Sequence, residues 1–324
     1  MDSVHTRPIS LIATLILCVL AGVLLLAAPA RSEDASVPAP MATASLLLDI
    51  QRVDNTLVAV GEWGHILISE DDGATWNQAQ VPSRATLTGV SFFDRQHGLA
   101  VGHGQTILRT VDGGQSWQKV HEDIEAEQPL LDVLYRDAEH AFAIGAYGAF
   151  LETLDGGDSW EHHAVSDEDM HLNQIMADGE RLFIAAEAGT LYRSDDSGEN
   201  WEVLEPPYEG SFFGSLPLGG DSLLLFGLRG NLFRSEDAGR SWRALDSGTE
   251  ASLTDGVQLA DGTLVIAGLG GVLLVSSEAG ETFTLHQESD RKGFAALVET
   301  SNGSLITVGE AGIKNLGREV LTRP

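Results

Sequence analysis

Ser235-Glu236-Asp237-Ala238-Gly239-Arg240-Ser241-Trp242 is one of five closely matching octapeptides in this chain. The others run from Ser69 to Trp76, Thr110 to Trp117, Thr153 to Trp160 and Ser194 to Trp201, each reading Ser/Thr, any residue, Asp, any residue, Gly, any residue, Ser/Thr/Asn, Trp. A weakened sixth copy spans Ser276 to Phe283, with Glu278 in the Asp place and Phe283 in the Trp place. The closing aromatics fall at 76, 117, 160, 201, 242 and 283, giving steps of 41, 43, 41, 41 and 41. A period this regular means one supersecondary unit stacked repeatedly.

A second landmark recurs seven times. A Gly-x-x-Gly-type turn begins at Gly61, Gly102, Gly145, Ala186, Gly227, Gly268 and Gly309, each time after a short apolar, β-rich run. Within residues 87–120, four short β-type segments alternate with Gly- and Asp-rich turns, the pattern of an antiparallel meander. One such sheet cannot bury both its faces, so the copies must stack. Closing them into a ring shields the edges that an open array would expose. The expected fold is all-β, a seven-bladed propeller of four-stranded antiparallel blades. In each octapeptide the Asp carboxylate is expected to accept backbone N–H bonds from its own corner, and the Gly to meet a positive-φ requirement. The Trp should pack between neighbouring blades. That assigns structural roles to Asp71, Trp76, Asp112, Trp117, Asp155, Trp160, Asp196, Trp201, Asp237, Trp242, Glu278 and Phe283.

These octapeptides are Asp-boxes, or bacterial neuraminidase repeats. With the regular Gly-x-x-Gly turns, residues 45–317 resemble the photosystem II stability/assembly factor family of propellers. The resemblance implies a non-catalytic assembly or stability factor for a membrane complex. In a non-photosynthetic bacterium the client could be another machine, such as a transport complex. The rival reading is a carbohydrate-active Asp-box propeller, either a sialidase-like hydrolase or a lectin. The sialidase pattern asks for a central arginine cluster, an Arg-Ile-Pro motif and a Tyr/Glu pair; no Arg-Ile-Pro occurs in the sequence. The boxed acids sit on separate blades, whereas glycoside hydrolysis needs two carboxyls within about 5–9.5 Å.

The formal charge is −29. Residues 1–30 hold one acid, Asp2, and one base, Arg7, so their loss leaves 18 basic and 47 acidic residues and the same net charge. Nucleic acid is therefore not an expected partner. Cys18, the single cysteine, lies in the N-terminal stretch, so no disulfide or cysteine metal site is expected beyond it. Residues 1–30 read as a secretory leader or a retained membrane anchor, with Ala28-Pro29-Ala30 as a cleavage site. Residues 31–44 read as a flexible spacer and 45–324 as the propeller, placed in the periplasm or secreted, or in the lumen of a phototroph. Blade boundaries are expected near 45–83, 84–125, 126–167, 168–208, 209–249, 250–290 and 291–324. The last blade has no Asp-box, and either Ala35-Thr43 or Arg318-Thr322 is expected to supply its outer strand.

Two residue sets are candidates for partner binding. Arg109, Arg193 and Arg234 share one register in the strand before the Asp-box, where Glu152 stands in another copy. The family resemblance associates such arginines with binding a membrane-protein client. At the turns, Trp63, His103, Tyr147 and Arg229 have the composition of a binding hot spot, with Phe212 and Phe213 opening an inner strand near that end. Glu161-His162-His163 with Asp167, Glu168, Asp169 and His171 has metal-ligating residue types, but is read as a solvated acidic loop. No cofactor and no metal are expected, no catalysis is expected, and the protein is expected to be a monomer with a membrane protein or membrane-complex subunit as its partner.

Overall fold

The computed structural model describes residues 34–322; the stretch expected to be a leader or anchor, its expected cleavage site and Cys18 lie outside them. Six four-stranded antiparallel sheets and one three-stranded sheet follow in chain order, over residues 47–78, 87–121, 130–162, 172–204, 212–244, 253–287 and 294–316. In each sheet the strands run in sequence order from the axis outward. The innermost strands of successive blades lie side by side, and that of blade 7 returns to that of blade 1. This is the closed seven-bladed ring.

Second strands such as Gly98–Gly102 and Ala141–Gly145 are buried throughout, because each is covered on both sides by neighbouring blades. Their continuous apolar runs follow from that. The cores accordingly lie between blades. Val58, Val60 and Ile66 of blade 1 pack with Leu87, Val90 and Leu108 of blade 2. Ile306 and Val308 of blade 7 pack with Leu57, Leu67 and Trp76 of blade 1. The Asp-box glycine is the close-approach point. Gly198 sits at φ +98°, and an added Cβ would stand 2.5 Å from Cζ of Phe142 in the preceding blade.

The ring closes by packing and hydrogen bonds. Ser301 donates its N–H and its hydroxyl to Asp72 Oδ2 at 2.8 and 2.6 Å, and Arg52 donates to the Glu299 carbonyl at 3.2 Å. Neither expected segment forms an outer strand for blade 7. The Ser36 N–H donates to the Val81 carbonyl, and Gln78 bonds Ala39 and Val37, so this segment follows the outer edge of blade 1. It then crosses to blade 7, where the Ile313 N–H donates to the Thr43 carbonyl. Residues 34–44, expected to end a flexible spacer, are thus fixed to the ring. Arg318–Thr322 is a 3-10 turn whose Val320 is buried against Leu259, Leu305 and Leu316.

Candidate partner-binding face

The Asp-box acids bond within their own corners. Asp112 accepts from the Ser116 N–H at 2.9 Å, the Ser116 hydroxyl at 2.5 Å and the Thr110 hydroxyl at 2.8 Å. Asp71, Asp155, Asp196 and Asp237 repeat the arrangement. Donors from Ser159 and Ser241 hold Asp155 and Asp237 down to about 2. Glu278, one methylene longer, accepts from the Thr282 hydroxyl at 3.0 Å. The Trp76 and Trp117 indoles donate to the carbonyls of Gly73 and Gly114. Each acid braces its own corner.

The arginine register joins blades. Arg109 Nη1 donates to the Gly156 carbonyl at 2.9 Å and pairs with Asp158 at 2.7 Å. Arg193 donates to the Ala238 carbonyl at 3.1 Å and is clamped by Asp195, and Arg234 donates to the Ala279 carbonyl. In every case the acceptor lies in the next blade's Asp-box. The Arg193 side chain is 2% exposed, so it forms no part of a surface patch. Glu152 takes this register in blade 3 and accepts instead from His140 at 2.7 Å and His163 at 3.2 Å. Among the described residues no group of three or more His, Cys, Asp or Glu has the arrangement of a metal site.

The turns after the second strands, with the linkers between blades, make up the opposite face. The first Gly of the turn is extended in blades 1, 2, 3, 5 and 6, whereas the second Gly can be a contact point. Gly64 has φ +68°, and a Cβ there would stand 2.1 Å from the Ser83 carbonyl oxygen. In blades 1 to 6 the second central residue is also left-handed. Gly104 and Gly270 occupy it in blades 2 and 6, with φ +67° and +68°. Trp63, Tyr147, Ala188 and Arg229 occupy it in blades 1, 3, 4 and 5, with φ of 60°, 55°, 54° and 58°. For a residue with a Cβ this conformation costs about 1 kcal/mol, and bulky side chains are rarely held there.

The strained side chains point to solvent. Trp63 is 64% exposed, Tyr147 is 53% exposed and Arg229 is exposed. Tyr147 is braced by His171, edge to face at 4.7 Å, and its carbonyl accepts from Gln128. His103 is exposed too, but at the first central position, the register of Leu269. Sequence reasoning missed Ile124, 70% exposed and beside Gly104, and Met41 on the segment that reaches blade 7. The signal for Ile124 was a lone aliphatic residue in the acidic linker Asp123-Ile124-Glu125.

A third feature was also missed. At one register of the inner strands, facing a narrow axial channel of about 100 Å³, stand Asp49, Asp132 and Asp255. Asp132 accepts from its own blade's Val133 N–H and from the Ile175 N–H of the next blade, both at 2.8 Å. Asp49 links Ile50 to Val90, and Asp255 links Gly256 to Leu297, in the same way. Burial, with the charges of Asp49 and Asp255, pushes Asp132 up to about 8. Burial likewise raises Asp255 to about 7 and Asp49 to about 6. The repeated Leu-Leu-Asp of Leu47-Leu48-Asp49 and Leu130-Leu131-Asp132, with Leu253-Thr254-Asp255, was the available signal.

Comparison with known proteins follows the same lines. Segments of the chain match curated relatives. One is the photosystem II assembly protein Ycf48 of Thermosynechococcus vestitus, 46% identical over 43 residues, which are 13% of this chain and 12% of that protein. Another is the chloroplastic photosystem II stability/assembly factor HCF136 of Cyanidioschyzon merolae, 38% identical over 61 residues, 18% of this chain and 14% of that protein. The matched stretches therefore span a small part of either relative. The structure of YCF48 bound to a D1 peptide superposes with TM-score 0.70 at 20% identity, covering 88% of this chain and 94% of that one. The WD40 propeller of Doa1 reaches 0.68 at 10% identity, covering 90% of this chain and 99% of that one, so the superpositions speak to fold alone. The family model described as photosynthesis system II assembly factor YCF48 matches residues 68–128 and 119–313. Extending over most of the propeller, that match shows that the chain belongs to this family.

Proposed function

We propose that this protein is a non-catalytic assembly factor that works outside the cytoplasm and holds a membrane-protein client against its turn face. The observation that carries the reading is the set of bulky, exposed residues in left-handed backbone at Trp63, Tyr147 and Arg229. Glycine serves the same position in two other blades, so folding alone does not call for these side chains. Strain kept at exposed aromatic and arginine positions is the signature of a contact site. Family membership agrees, as does the related structure whose title describes a bound D1 peptide. An extracytoplasmic site is supported by the apolar N-terminal stretch of the sequence and by relatives named as chloroplastic and as lipoproteins.

The carbohydrate reading needs arginine, tyrosine and glutamate converging in a central pocket. The channel is lined instead by Leu48, Thr88, Asn173, Phe213 and the three aspartates, in about 100 Å³. Affinity purification from native membranes tests the proposal. The wild type should co-purify a membrane protein, and the Trp63→Gly/Tyr147→Gly/Arg229→Gly variant should lose it. Unchanged co-purification by the variant would remove the turn face from consideration.

A further inference from the structure

A cleft of about 1080 Å³ opens on the turn face at blade 4, between the linkers on either side of that blade. It lies where the tip residue is Ala188, the smallest of the four left-handed non-glycine ones, itself part of the cleft's lining. Its walls are preformed. The Gly189 N–H donates to the Gly210 carbonyl at 3.1 Å, and a Cβ on Gly189 would stand 2.0 Å from the Tyr208 carbonyl oxygen. Pro206 and Pro207 stiffen one side. The Tyr208 ring packs on Phe212 and Phe233, at centroid distances of 5.9 and 6.5 Å. On the other side the Ser166 hydroxyl meets the Tyr192 hydroxyl at 3.1 Å.

The lining has one sign of charge. Asp167, Glu168, Glu205 and Glu209 stand exposed around it, and none of them has an ion-pair partner among the described residues. No lysine, arginine or histidine lines the cleft, while Met170, Val203 and Tyr208 provide apolar surface between the acids. Arginine pairing elsewhere on the ring shows the contrast: Asp158, Asp195 and Asp221 each hold a guanidinium.

We infer that this cleft receives an extended, basic segment of the client, with lysine or arginine side chains on the four carboxylates and apolar side chains between them on Met170, Val203 and Tyr208. Charge complementarity selects that occupant, since unpaired carboxylates with apolar side chains between them reject an acidic chain and favour a cationic one. The volume is at the upper end for a small-ligand pocket, which suits several residues of chain. The inference rests on the assembly-factor reading and names the chemistry of the partner's segment.

The test uses the whole protein and a short fluorescein-labelled peptide in which lysine and arginine alternate with leucine and valine, read by anisotropy. A second peptide carries glutamate at the basic positions. The basic peptide should bind and the acidic one should not. Glu205→Gln/Glu209→Gln should weaken binding about tenfold, as should Asp167→Asn/Glu168→Gln. Glu70→Gln/Glu139→Gln, which removes as much charge from the other face, should leave it nearly unchanged. The inference is overturned if the cleft variants bind as the wild type does, or if the distant pair weakens binding equally, which would mean general attraction to an acidic protein. Repeating the membrane purification with the cleft variants separates the two readings. A client retained by the cleft variants but lost by the tip variant refutes the cleft alone; a client retained by the tip variant refutes the turn face, whatever the peptide does.

Discussion

Replacing Asp132 with Asn should make the ring more stable at pH 8 and should flatten its dependence on pH. The carboxyl is raised from 3.8 to about 8 by burial and by the charges of Asp49 and Asp255. A carboxyl with a raised folded pKa binds its proton more tightly in the folded state. Between about pH 4 and pH 8 the folded chain therefore carries more protons than the unfolded one, and stability falls as pH rises through that window. One unit is worth about 1.4 kcal/mol, so the full displacement corresponds to a ceiling of about 6 kcal/mol. The three channel acids titrate as a coupled set, which spreads that ceiling over the trio and leaves about 2 kcal/mol to Asp132. Asparagine keeps one oxygen to accept from Val133 or Ile175 and loses the charge. At pH 8 the gain should be about 1–2 kcal/mol, and at pH 5 the variant should equal the wild type or fall slightly below it. Urea unfolding of both proteins at pH 5, 6, 7 and 8 measures the difference. Comparing the pair at each pH matters because burial lowers His65 and His121, which act in the opposite sense. A difference that stays constant across the range, or a loss that grows towards pH 8, would refute the reasoning.

Trp63→Gly relieves a left-handed tryptophan and should raise stability by about 0.5–1 kcal/mol in the same urea assay while weakening client capture; a loss of stability would show that the indole serves the fold. Gly198→Ala forces a methyl against Phe142 at φ +98° and should cost about 2–3 kcal/mol, seen as a lower urea midpoint at unchanged slope. Arg193→Met should cost about 2–3 kcal/mol, because the buried Ala238 carbonyl loses its donor and Asp195 its clamp. Refolded Arg193→Met should nevertheless capture client as the wild type does, since the side chain is inside the ring.

Blade number and the position of every corner were legible because they are written as repeats. The Asp-box and the following Trp are local, so an eight-residue window contains both the acid and its donors. What lay beyond such a window was harder to read. The Arg109, Arg193 and Arg234 register was visible, but its acceptors Gly156, Ala238 and Ala279 lie 45 or more residues on, in the next blade. Asp132 similarly bonds its neighbour's Ile175, and an acid in an apolar inner strand looks like a solvated position until the ring brings three of them to one channel. The ends of the chain were misread for a related reason. The Pro- and Ala-rich composition at 35–43 does not say which blade edge will receive the segment, and blade 1 offers Val81 and Gln78 first. At the turns, composition singled out Trp63 and Tyr147, but their left-handed strain emerged from backbone geometry.

The central claim, that the turn face holds a membrane-protein client, is tested most directly by photo-crosslinking in native membranes. A benzoyl-phenylalanine at position 63 or 147 should crosslink to an integral membrane protein, and one at Val111, exposed on the Asp-box face, should not. Crosslinking of the same partner from position 111, with none from 63 or 147, would contradict the account.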